Sequence, residues 1–218
     1  ELTLEQLRDI LNANWEGHEQ LRRRILLDRG KYGNGISEVD QLATRLSRHL
    51  AEKINHRPNA RRGFYQASGH SARMFVIHGE KTGATPDGRR AGDEMSKNLS
   101  PVQGMDRNGV TALVKSLSVI DSADFPGDYP LDVMLHPTTV QGAAGLEVMH
   151  CLLKVYMKNN GIVMQFNIFD AETLLDAQRH PENYRGLQVR VCGWNVLFND
   201  LARKEQDAYI ERAENIAE

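Results

Sequence analysis

Cysteine is almost absent from this chain: two in 218 residues, Cys151 and Cys192. Two thiols so far apart form neither a disulfide framework nor a metal-ligand spacing. Usage this sparse suits a reducing cytoplasm, the expected location. The eight histidines do not stand at His-x-x-Glu-His or a similar ligand spacing, so no metal site is expected. There is no Gly-x-Ser-x-Gly elbow and no Ser-His-Asp signature. No apolar run approaches the length of a membrane span. Charge of one sign is lacking too. Lys and Arg total 27 against 29 Asp and Glu, a net charge of -2. Arg22-Arg23-Arg24 is the sharpest basic cluster, and it falls in a helical pattern as a solvated face. Neither a nucleic acid nor a membrane is therefore an expected partner. Glu1-Leu2-Thr3 carries no Met and no signal pattern, and reads as the middle of a longer chain.

What is present suffices for a core: 40% hydrophobic and 26% charged residues, the balance of a globular domain. Residues 3–54 read as helical, with Val39, Leu42, Ala43, Leu46, Leu50 and Ile54 at helix spacing and a break at Lys31–Gly35. Residues 55–72 read as irregular, Arg73 to His78 as a strand, and Gly79 to Gly109 as a long loop. A short helix is expected over Val110 to Ile120, a strand over Leu131 to Leu135, and a helix over Ala143 to Lys158. In that last helix Cys151 is expected as a small buried hydrophobe. Ile162 to Ile168 reads as a strand, and Asp170 as the N-cap of the next helix. Two short strands, Gln188 to Cys192 and Asn195 to Phe198, would place Gly193 at the bend between them. Arg203 to Ala213 reads as a terminal helix. Strands separated by helices give the α/β class.

Three segments invite chemistry and also allow plainer readings. Gly83-Ala84-Thr85-Pro86-Asp87-Gly88-Arg89-Arg90 nearly has phosphate-loop spacing, but it lacks the Lys followed by Ser or Thr that reaches phosphate and metal. Pro86-Asp87-Gly88 is a turn signal in its own right. His136-Pro137 is where a strand would stop, so His136 is assigned a structural role. Gly193 alone could be an ordinary bend.

The order of the flanking motifs changes that last reading. Gln165-Phe166-Asn167 is followed by Asp170-Ala171-Glu172-Thr173-Leu174-Leu175-Asp176-Ala177-Gln178, then Pro181-Glu182-Asn183-Tyr184-Arg185, then Arg190-Val191-Cys192-Gly193-Trp194. Upstream stand Gly79 to Gly92 and Ser100-Pro101-Val102-Gln103-Gly104-Met105-Asp106. From about residue 30 to the end, this string resembles the C-terminal part of the glycyl radical enzymes, the pyruvate formate-lyase-like family. The resemblance implies that Gly193 stores an unpaired electron on its α-carbon, the only cofactor expected. Such a radical is stabilised jointly by the flanking amide nitrogen and carbonyl if the centre can flatten, and only glycine leaves the backbone that free.

The resemblance also implies a fold: the C-terminal part of a ten-stranded α/β barrel. Residues 1–78 would be a helical segment and the first part of the barrel of the main domain, and 79–218 the glycine radical domain. Thr138 and Val140 would line the substrate pocket. The family's partner cysteine lies in a Cys-x-Glu loop, which this sequence does not contain. The expected partners are therefore the polypeptide that supplies that loop, a radical S-adenosylmethionine activating enzyme, and a second copy in a homodimer. Cys192-Gly193-Trp194-Asn195 resembles the arylacetate decarboxylase group most, 4-hydroxyphenylacetate decarboxylase for example. Formate acetyltransferase, diol dehydratase and a stand-alone radical repair module are the alternatives.

Overall fold

The computed structural model describes residues 2–102, 104–191 and 193–217; Gln103 and Cys192, both within motifs quoted above, lie outside the described residues. Three helices open the chain: α1 (Leu4–Asn12), α2 (Glu19–Leu27) and α3 (Ser37–Ile54). Thr3 and Gln6 form a reciprocal capping box at the start of α1, with Thr3 N–H 2.9 Å from Gln6 Oε1 and Gln6 N–H 3.2 Å from Thr3 Oγ1. In α3 the expected stripe is helical but faces outward. Leu42, Leu46, Leu50 and Ile54 are exposed, while Asp40, Ser47 and Ala51 are buried.

Arg73 to His78 is not a strand. Helix α4 (Met74–Glu80) replaces it and buries Val76 and Gly79. The run has no alternation of apolar and polar residues; as a helix it buries Val76 and Gly79 at spacing three, and Gly79 lies against the loop backbone at Asp93 and Glu94. The long loop that follows is tied down from the N-terminal helices. Trp15, fully buried, donates Nε1–H to Arg89 O at 3.2 Å; Arg22 Nε donates to Gly88 O at 2.7 Å, and Lys31 Nζ to Asp87 O at 3.0 Å.

Helix α5 (Val110–Leu117) leads to strand β1 (Pro130–Leu135), which crosses over through α6 (Gly142–Lys158) to strand β2 (Val163–Ile168). The two strands pair in parallel, with Asp132 opposite Gln165. This is a βαβ unit, and it places the chain in the α/β class expected. All six residues of β1 are buried, as a parallel strand covered on both faces requires. Helix α6 turns Gly145, Leu152 and Tyr156 to the core. Gly145 has to be glycine, because a Cβ there would fall on the Val140 backbone. Cys151 lies off that narrow stripe and is exposed, not buried, with Sγ 3.7 Å from Glu147 Oε1.

Helix α7 (Ala171–Arg179), the antiparallel hairpin of β3 (Gln188–Val191) and β4 (Trp194–Leu197), and α8 (Arg203–Ala217) complete the chain. They share a core of Leu174, Ala177, Val189, Val191, Phe198, Ile210 and Ala213 with Met134 of β1. Asp170 caps α7 as expected, accepting the Thr173 N–H at 2.7 Å, and that bond holds its carboxyl below the usual range. Asp170→Ala is expected to cost the assembled protein about 1 kcal/mol in chemical denaturation at neutral pH. The difference should vanish in acid. A lowered carboxyl pKa stabilises the fold above its unfolded value and loses that contribution as pH falls through the folded one.

Candidate functional site

The site is built on the β3–β4 hairpin. Val191 pairs directly with Trp194, so the connection is two residues long and Gly193 is its second member. Two-residue hairpins need positive φ at the tip, and Gly193 has φ of +98°. A Cβ placed there would meet no atom within 4 Å. Gly193 is exposed, and Trp194 beside it is 50% exposed.

Strand β2 holds the hairpin with two side chains from one face, Gln165 and Asn167. Asn167 brackets Arg190: its Oδ1 accepts the Arg190 N–H at 2.8 Å and its Nδ2 donates to Arg190 O at 3.1 Å. Tyr209 of α8 donates to the same carbonyl at 3.0 Å. Gln165 Oε1 accepts the N–H of Gly193 at 3.0 Å. Behind Gln165 lies Asp132, fully buried, with Oδ1 2.9 Å from Lys97 Nζ. Gln165 Nε2 and Asn98 Nδ2 also donate to this carboxylate. Arg212 of α8 donates to the Asp132 carbonyl.

Sequence reading missed the three residues Lys97, Asp132 and Gln165. A signal was present: an Asp at the centre of Leu131-Asp132-Val133, and amides at alternate positions of an apolar strand. Polar residues in such places are buried only when hydrogen-bonded. Thr138 and Val140 occupy the 3-10 turn Pro137–Val140, beyond the end of β1. Thr138 is exposed, with Oγ1 2.8 Å from His136 Nδ1, and Val140 packs against the cluster around Leu113 and Leu152. Gly193 is instead level with Gln165 and Asp132, in the middle of the strand pair. His136 caps the turn by accepting from Thr138 N–H. The phosphate-like loop closes on itself. Arg89, 6% exposed, donates to the carbonyls of Asp93, Thr82 and Gly83.

A cavity of about 430 Å³ opens beside the hairpin, lined among others by Arg73, Glu94, Lys97, Trp194, Glu205 and Arg212. Arg73 and Glu205 pair across it at 3.0 Å. Burial pushes the Glu94 carboxyl up to about 7. Among the described residues no cluster of His, Cys, Asp or Glu is placed to hold a metal ion, and no helix is long and apolar enough to cross a membrane.

Residues 95–199 match the family model described as Glycine radical, and residues 1–79 the one described as Pyruvate formate lyase-like. The trans-4-hydroxy-L-proline dehydratase of Clostridioides difficile is 34% identical over 97% of this chain and 27% of its own length. The 4-hydroxyphenylacetate decarboxylase glycyl radical subunit of Clostridioides difficile (strain CD196) is 34% identical over 88% of this chain and 21% of its own. Among solved structures, a protein of 1,2-propanediol dehydration in Roseburia inulinivorans superposes with a TM-score of 0.92 at 37% identity, over 97% of this chain and 28% of that one. The chain thus spans about a quarter of the length of the relatives it matches. Its α/β fold is that of the C-terminal part of their ten-stranded α/β barrel, and the chain belongs to the glycyl radical enzymes.

Proposed function

We propose that this chain is the radical-storing part of a glycyl radical enzyme and that Gly193 holds the unpaired electron. The observation that carries the reading is the hairpin tip: a glycine at φ of +98°, with its N–H bonded to Gln165 and open space around its α-carbon. Gly193 gives one α-hydrogen atom to a radical S-adenosylmethionine activating enzyme and keeps one electron of the broken bond. It later takes a hydrogen atom from the thiol of a Cys-x-Glu loop outside this chain. That restores its C–H bond and leaves a thiyl radical for the substrate. Residues 79–218 serve as the glycine radical domain and 1–78 as part of the main domain, with Thr138 and Val140 toward the substrate. The exposure of Gly193 and Trp194 supports a partner polypeptide that covers them. As in the family, the whole enzyme is a homodimer of a reducing cytoplasm.

For the reaction we favour dehydration, the cleavage of a C–O bond in a small hydroxylated substrate. The matched dehydratase aligns over 97% of the chain and the matched decarboxylase over 88%. Arylacetate decarboxylation is the second reading, and rests on Cys192-Gly193-Trp194-Asn195.

The assembled, activated protein should show a paramagnetic resonance doublet from the one remaining α-hydrogen. Air should then cut the chain at Gly193, because oxygen adds to a carbon radical and the backbone breaks there. Mass spectrometry under denaturing conditions should find one fragment ending near Cys192 and another spanning Trp194–Glu218. A chain that stays whole in air after its doublet has formed argues against storage at Gly193. Offered 1,2-propanediol, hydroxyproline and 4-hydroxyphenylacetate in parallel, the activated protein should consume one of the two aliphatic alcohols. Consumption of 4-hydroxyphenylacetate instead would establish the second reading.

A further inference from the structure

A line of polar groups runs through the apolar β1–β2 pair and ends on the backbone of Gly193. Its order is Lys97, Asp132, Gln165 and then the Gly193 N–H. Asp132 is fully buried, Gln165 is 6% exposed and Asn98 is 9% exposed. Burying such groups costs free energy unless every donor and acceptor is used. Here they are used in a way that leaves no freedom. The carboxylate of Asp132 only accepts, so the side of Gln165 that faces it must be the NH2 group. The carbonyl oxygen of Gln165 is thereby turned toward Gly193. The hairpin has no need of this bond to close, since its ladder already pairs residues 188–191 with 194–197. The buried line is aimed at one amide.

We infer that Gln165 is a positioning residue for the radical at Gly193, held in register by Asp132 and Lys97. This inference rests on the reading of Gly193 as the radical site. Its physical content has two parts. The acceptor fixes the plane of the peptide that enters Gly193. It also draws on the N–H proton and so raises electron density on the amide nitrogen, the electron-donating neighbour of an α-carbon radical. With hydrogen still on the α-carbon, φ is +98°, far from the flat geometry in which spin spreads over nitrogen and carbonyl. Flattening requires rotation about N–Cα. With the nitrogen side anchored by Gln165, the α-carbon and its carbonyl make that rotation, on the side where a Cβ would meet nothing within 4 Å.

The test uses the assembled, activated protein and two variants. Gln165→Met keeps the volume and removes the acceptor. The exchange D132N/Q165E keeps volume and net charge and sets a carboxylate oxygen, a stronger acceptor, against the Gly193 N–H. Electron–nuclear double resonance reads the coupling of the Gly193 nitrogen and of its exchangeable proton. In Q165M the nitrogen coupling should fall, and the radical should decay without oxygen on the order of tenfold faster. In the exchange variant the nitrogen coupling should rise and decay should be no faster than in the native protein. Couplings unchanged in both variants, or shifted in the same direction in both, would overturn the inference. If Q165M does not assemble, the exchange variant decides alone, and an unchanged nitrogen coupling there is the overturning result. A native protein that forms no doublet would instead overturn the assignment of the radical to Gly193.

Discussion

Replacing Gly193 by alanine is expected to abolish the resonance doublet and leave the protein folded. The two halves of that expectation have separate causes. Alanine at φ of +98° is strained, a cost of about 1 kcal/mol or somewhat more. No neighbour adds to it, because the new Cβ would meet no atom within 4 Å. Val189, Val191 and Phe198 keep the core beneath the hairpin intact. The methyl group matters only when a hydrogen atom is removed. It then crowds a centre that must become planar between two peptide groups. The measurement is spin quantitation beside near-ultraviolet circular dichroism and chemical denaturation of the assembled protein. A doublet that persists in Gly193→Ala would sink the assignment. A doublet lost only because the variant does not fold would overturn the other half, the open space at the hairpin tip.

Removing the carboxylate of Asp132 has the largest expected effect on stability. Asp132→Ala leaves Lys97, whose side chain is 14% exposed, without its partner at 2.9 Å. It also strands the amide donors of Asn98 and Gln165. Breaking a buried ion pair from one side costs about 3–5 kcal/mol, because an uncompensated charge stays buried. The comparison that isolates this cause is the double variant K97M/D132L, which removes both charges and keeps the volume. It should recover the part of the loss that comes from the unpaired charge, since apolar residues often replace a buried pair at little cost, while the part from the Asn98 and Gln165 donors remains. Denaturant titration of the assembled native protein, D132A and the double variant supplies the three numbers. A D132A loss below about 1 kcal/mol would show that water or another cation reaches Lys97.

Local chemistry was legible in the residues. The βαβ unit, the Asp170 cap and the bend at Gly193 between two short strands follow from alternation, helix spacing and turn residues, which act over a few positions. The family was legible for another reason: its motifs are contiguous and ordered. Other features depended on what lies opposite in space. The stripe of α3 reads as a core face, yet Leu42, Leu46 and Leu50 are exposed and Asp40 and Ser47 are buried, because packing partners decide which side of a helix is covered. Arg73 to His78 becomes a helix once Gly79 seats on the loop at Asp93. Cys151 sits one position from the buried Leu152 and is nevertheless in solvent, since one residue turns a helix by about 100°. The support of Gly193 was hidden in the same way. Lys97, Asp132, Gln165 and Gly193 are strung across almost a hundred residues, and only the parallel register of β1 with β2, with the hairpin laid against them, brings them to hydrogen-bonding distance. The sequence by itself pointed to Gly193 as the glycine proposed to carry an unpaired electron, because the ordered motifs around it mark one glycine among 18 and only a residue without a side chain leaves the backbone that free. The tertiary structure alone decided which groups hold that residue, because a hydrogen bond depends on distance in space and not on distance along the chain.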